Sequence, residues 1–131
     1  MRRRRVSGVV ADTSVWIEFF PGREEPVLED ALRHGVVIVP PVVAAELVSG
    51  AHRPRDRAAI VDVLCDLELH ETALSHWIGV GDLRRRLRAK GVSASTPDAH
   101  VAQCAIDRGA VLLAHDAVFA RIARWLPLRL A

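Results

Sequence analysis

Short, unbroken apolar runs constrain this chain more than anything else in it. VSGVVA (residues 6–11), VVIV (36–39) and AVLLA (110–114) are too short for helices. They also lack the polar alternation of a half-exposed strand, so they fit strands buried on both faces. LELH (67–70) is a further candidate strand, and LRL (128–130) a short last one. Helical stretches are expected between them at 15–20, 26–33, 40–47, 55–64, 72–90, 96–108 and 116–124. Proline, tolerated in a first helical turn, stands at Pro41 and Pro97. Glycine, favoured just past a helix end, stands at Gly35, Gly50, Gly91 and Gly109. Val80, Leu83 and Leu87 form an apolar stripe at helical spacing along the longest of these segments.

Strands alternating with helices imply an α/β fold. The expected architecture is a three-layer α/β/α sandwich around a mostly parallel sheet of four to five strands. With 131 residues, half of them apolar, the chain suits one domain over 1–131 and can bury a core without staples. Functional groups in such sheets gather beyond the carboxyl ends of the strands, near a topological switch point. Asp12 ends the first run, and Asp116 follows the fourth.

Each of four acids has a plain reading and a chemical one. Asp12 or Ser14 would cap a helix, but the capping box is missing, because Glu18 stands four residues after Ser14 and not three. Glu46, in PPVVAAELVSG, is either the single exposed position of a buried helix or a carboxylate on a core-facing stripe with Val42, Val43 and Gly50. Asp98 follows a plausible N-cap, Thr96, and the helix dipole favours an acid there. It also lies in line with Val101, Ala102 and Ala105. Asp116 is placed to cap the last helix.

Four such carboxylates brought together could not all stay ionised without a cation. Oxygen-only ligands select Mg²⁺ or Mn²⁺, which can activate water and neutralise charge on a scissile phosphate. The formal charge is only +2, yet MRRRR and DLRRRLRAK concentrate the basic residues. Such runs are either solvated faces or a footprint for a polyanion. Acids, cation and basic surface together point to phosphodiester hydrolysis on nucleic acid. Cys65 and Cys104 form no C-x-x-C and suit a reduced compartment. The six histidines show no H-x-x-x-H pairing and no cluster with cysteine, which argues against zinc. VSGVVA is too short for a signal-peptide core, and no stretch is long enough to cross a bilayer. A soluble, cytoplasmic protein is expected.

VVADTSVWIEFF resembles the opening strand and turn of the PIN-domain ribonucleases, especially VapC toxins of bacterial toxin–antitoxin pairs. The resemblance continues through VVAAELVSG, TPDAHVAQCA and VLLAHDAVFARIA, in order, over nearly the whole chain. It implies Mg²⁺- or Mn²⁺-dependent endonucleolytic cleavage of RNA. Asp12, Glu46, Asp98 and Asp116 would form the acidic pocket and hold the metal, with Ser14 in support. A homodimer and a cognate VapB-type antitoxin are implied as well. Many relatives read D-x-D-F after the fourth strand, where this chain has DAVF. Val118 therefore replaces a fifth acid, and one metal ion is expected more firmly than two. The MRRRR extension, residues 1–5, is unusual for the family.

On the long helix, Arg84, Arg85 and Arg88, with Arg86 and Lys90, form a basic side suited to RNA phosphates or simply to solvent. Trp16, Trp77 and Trp125 would stack on bases or, lying in apolar patterns, join a core or dimer contact. An aspartyl phosphatase would need a second acid where Ser14 stands. A receiver domain would need a lysine near its last strand, and the only lysine is Lys90. A non-catalytic PIN-fold module that binds RNA or antitoxin is the alternative from a different class.

Overall fold

A computed structural model describes residues 8–131. The basic extension at 1–5 and the expected strand start at Val6 and Ser7 lie outside the described residues. The strands are β1 (Val9–Ala11), β2 (Val37–Val39), β3 (Glu68–Leu69), β4 (Val111–Leu113) and β5 (Arg129–Leu130). The helices are α1 (Thr13–Phe19), α2 (Pro26–Arg33), α3 (Pro41–Ser49), α4 (Pro54–Cys65), α5 (Leu74–Ala89), α6 (Thr96–Arg108) and α7 (Ala117–Ala123).

All four strand pairings are parallel, and the order is β3-β2-β1-β4-β5. Helices flank the sheet in three layers, as expected. Every residue of β1 and β2 is buried, which is why these segments read as unbroken apolar runs. The edge strands β3 and β5 are two residues long and exposed. Val80, Leu83 and Leu87 are buried along α5 as their spacing predicts.

The order reverses at β1. One crossover leads from it to β2 on one side, and β4 lies on the other, so the switch point falls between β1 and β4. The chain enters this position through Gly8, whose carbonyl accepts a hydrogen bond from the Val111 amide at 3.1 Å. Gly8 has φ +144°, and a Cβ there would lie 2.6 Å from Ile38 Cδ1 and 2.9 Å from the Val36 carbonyl oxygen. Both the backbone conformation and the space demand glycine. Gly8→Ala should therefore destabilise the fold by about 1–3 kcal/mol. In urea denaturation this appears as a lowered midpoint with an unchanged slope.

Candidate active site

Asp12 leaves β1 directly into α1, with no intervening loop. Its amide donates to the Leu113 carbonyl at 2.9 Å, which ties the end of β1 to β4. The residue holds the N-cap backbone conformation, but its carboxylate makes no capping hydrogen bond. Oδ2 instead accepts from the Ser14 hydroxyl at 3.3 Å. Asp12 is 9% exposed, unusually low for an acid with no basic partner among the described residues.

Glu46 departs from one expectation. Val43 and Leu47 face the core of α3, and Glu46 is exposed one position away, so it lies on no core-facing stripe. Its Oε1 accepts from Thr13 Oγ1 at 2.7 Å, which links α3 to the first residue of α1. Asp98 is half-buried in the first turn of α6, in line with buried Val101, Ala102 and Ala105. The cap of α6 is Ser95 and not Thr96: Ser95 Oγ accepts from the Asp98 amide at 3.2 Å. Asp116 caps α7, with Oδ1 accepting from the Val118 amide at 2.9 Å, and its side chain is exposed beside the sheet edge. His115, just before it, pairs with Glu18 of α1 at 3.1 Å.

The structure thus gathers all four acids at one edge, and they sense one another. Burial raises the Asp12 pKa above the ordinary aspartate range, and Asp98 and Glu46 push it further, while the Thr13 amide and the Ser14 hydroxyl pull it back. Asp98 is raised for the same first reason, burial, and then by Asp116 and Glu46, against the pull of Ser95. Among the described residues, no lysine, arginine or histidine forms an ion pair with any of the four. An oxygen-only donor set with uncompensated negative charge fits a hard divalent cation such as Mg²⁺ or Mn²⁺. Val118 is buried in the core.

Beside Glu46 a largely apolar cleft of about 450 Å³ opens between α1, α3 and α4, lined by Ile17, Phe20, Leu47, His52 and Ile60 among others. Arg85, Arg86 and Arg88 are exposed on α5, and Lys90 is exposed at its C-cap. Arg84 is half-buried, and its Nε donates to the Ala94 carbonyl at 2.9 Å, on the segment leading to Asp98. Trp16 is core, packed with Phe19 and Phe20. Trp77 is partly exposed and stacks on His100 with ring centroids 4.7 Å apart. Trp125 is exposed beneath Lys90 and Arg124.

One expectation is overturned outright. Sequence spacing shows no histidine–cysteine cluster, yet the fold packs His70, His76, His100 and Cys104 together, all buried. The only local signal was His100 and Cys104, one helical turn apart in HVAQC.

A parallel α/β sheet with acidic groups over its switch point defines a class of domain that can hold a cation at its strand exits. The chain belongs to the PIN-domain family, whose model matches residues 9–124. No curated relative matches the sequence. Among solved structures, it is similar to a chain of VapBC2 from Rickettsia felis bound to a DNA fragment from their promoter. That match has TM-score 0.75 and 22% identity, and covers 94% of this chain and 96% of the other. A chain of DNA-bound VapBC from Salmonella typhimurium matches with TM-score 0.74 and 20% identity, over 95% and 96%. A chain of VapBC-1 from nontypeable Haemophilus influenzae matches with TM-score 0.73 and 19% identity, over 94% and 96%.

The raised carboxylates have a consequence for stability. Without divalent ions, folded Asp12 and Asp98 hold protons at pH values where the unfolded chain has already lost them. Stability therefore falls as pH rises from the unfolded pKa through the raised folded values, and the penalty is complete above them. Thermal melts in chelator should show Asp12→Asn melting above the wild type at neutral pH, with the gap closing in acid. A wild type that melts higher at neutral pH would contradict this.

Proposed function

We propose that this protein is a VapC-type toxin: a metal-dependent endoribonuclease that hydrolyses RNA phosphodiester bonds at the four-carboxylate edge, with the whole chain acting as one PIN unit. The observation that carries this reading is the convergence of Asp12, Glu46, Asp98 and Asp116, without a cationic partner among the described residues, in a PIN fold.

Asp12 and Asp98 would hold Mg²⁺ or Mn²⁺ directly, being the two most enclosed acids. Glu46 and Asp116, both exposed, complete the charge from the solvent side. The ion, when bound, supplies Lewis acidity toward the phosphate and makes water nucleophilic at neutral pH. The chain's own groups set the geometry. Ser14 orients the Asp12 carboxylate, Thr13 orients Glu46, and the Ser95 cap fixes the first turn that carries Asp98. With one Asp116 oxygen engaged at Val118, the other would be the one to serve the site. Arg85 and Arg88 would guide the RNA backbone. Arg84 would serve by steadying the segment before Asp98 and not by touching phosphate.

The apolar cleft beside Glu46 suits a segment of a VapB-type antitoxin, which would then lie against the acidic edge. The exposed Leu74, Trp77 and Ile78 on α5 offer apolar area for a homodimer. Among the described residues no helix is long and apolar enough to cross a membrane, in keeping with a cytoplasmic enzyme.

Purified protein, freed of partner, should cut RNA with Mg²⁺ or Mn²⁺ and stop in chelator. Asp12→Asn and Asp98→Asn should lose cutting while remaining folded by circular dichroism. Robust cutting in chelator, or by both variants, would sink the mechanism. Sequencing of RNA ends after induced expression would identify the substrate. Phosphate contacts release counterions, so replacing both Arg85 and Arg88 should reduce the slope of log affinity against log salt by about 1–2. An unchanged slope would remove them from the RNA path.

A further inference from the structure

The acidic edge makes no use of the buried histidines and thiol. His70 directly follows β3, its amide donating to the Val39 carbonyl at 2.9 Å. His76 lies in the first turn of α5, and His100 and Cys104 stand one turn apart on α6. His70 and His76 are 8% and 7% exposed, and His100 and Cys104 are fully enclosed. One donor atom each from His70, His76 and Cys104 falls within 4.8 Å of the others. Around a tetrahedral zinc ion, nitrogen and sulfur ligands at about 2.0–2.3 Å stand roughly 3.3–3.8 Å apart. Small side-chain rotations would therefore close this set on an ion.

We propose that His70, His76 and Cys104 form a binding site for a borderline-soft divalent ion, zinc foremost, with Asp107 facing the fourth position. The donor set selects the metal: two imidazoles and a thiolate suit zinc and not Mg²⁺, so this site and the acidic edge call for different ions. Asp107 Oδ2 lies 3.4 Å from His76 Nδ1 and 3.9 Å from His70 Nε2, while its Oδ1 is held by Gln103 Nε2 at 2.7 Å. Ligation through His76 Nδ1, on the Asp107 side, leaves Nε2 with its partner, His100 Nδ1 at 2.7 Å. Ligating histidines are ordinarily steadied in this way.

The electrostatic setting of the imidazoles agrees. Burial and neighbouring imidazoles keep His70 and His100 below the ordinary histidine range, His100 at about 4, so the rings are neutral. Burial pushes the Cys104 thiol up to about 12, and a divalent ion supplies the positive charge that would displace its proton. Ligands from the exit of β3, from α5 and from α6 make the ion a clamp between three elements, and its binding free energy adds to folding.

Cobalt(II) tests this in the full chain after chelator treatment and dialysis. The Cys65→Ser variant is the decisive protein, because Cys104 is then its only thiol. It should bind one cobalt ion with a thiolate-to-cobalt charge-transfer band and tetrahedral d–d bands, all displaced by zinc. Zinc should also raise its melting temperature. Adding His70→Gln should weaken cobalt binding at least about 10-fold. Adding Asp12→Asn should leave the band intact, which separates this site from the acidic edge. No charge-transfer band in Cys65→Ser at excess cobalt overturns the proposal, as does unchanged affinity in a folded His70→Gln variant. Should His70→Gln fail to fold, the Cys65→Ser spectrum decides alone, since its core is unaltered.

Discussion

The acidic edge depends on the way β1 is held. This three-residue strand is hydrogen-bonded on both sides, to β2 and to β4, and its last bond runs from the Asp12 amide to the Leu113 carbonyl. Its side chains are buried on both faces, so a slip of one residue would drive Asp12 into the core or pull Ala11 out of it. Register is therefore fixed by hydrophobic burial, and the position of the first carboxylate follows from it. Gly8 secures the other end, where no side chain fits.

Charge placement follows a second regularity. Asp12, Asp98 and Asp116 all stand at helix N-termini, and only Glu46 lies within a helix. The partial positive charge of unsatisfied amides at those ends favours acids. Hydroxyls from Thr13 and Ser14, and the cap at Ser95, hold individual groups. Burial and mutual repulsion still win at Asp12 and Asp98, whose carboxyls remain hard to ionise. Asp12 or Asp116 alone could have been an ordinary cap, and Asp116 is one. The proposed chemistry rests on the meeting of all four acids at a single switch point.

Strands buried on both faces announce themselves as apolar runs, so the sheet and its helices were legible, with ends displaced by a residue or two. Glu46 was harder. Nearly every neighbour in α3 is apolar, so the sequence carries no phase, and only the packed helix shows that Val43 and Leu47 face inward. The Ser95 cap was missed because Thr96 is chemically equivalent and one residue away. The histidine–cysteine cluster could not be read from spacing, since its members come from the exit of β3, from α5 and from α6. Parallel crossovers bring together residues as distant as His70 and Cys104, and only topology reveals that.

The outer strands carry a different implication. β3 and β5 are each two residues long, with exposed side chains. Arg108 from α6 reaches across to Glu68 on one rim, and Arg129 folds back onto the Gly109 carbonyl on the other. Neither rim offers a run of free backbone amides and carbonyls long enough to template another strand. Extending this sheet is therefore a poor way for a neighbour, identical or foreign, to join. Side chains on helices, where shape and charge discriminate and generic backbone pairing does not, are the better means of recognition.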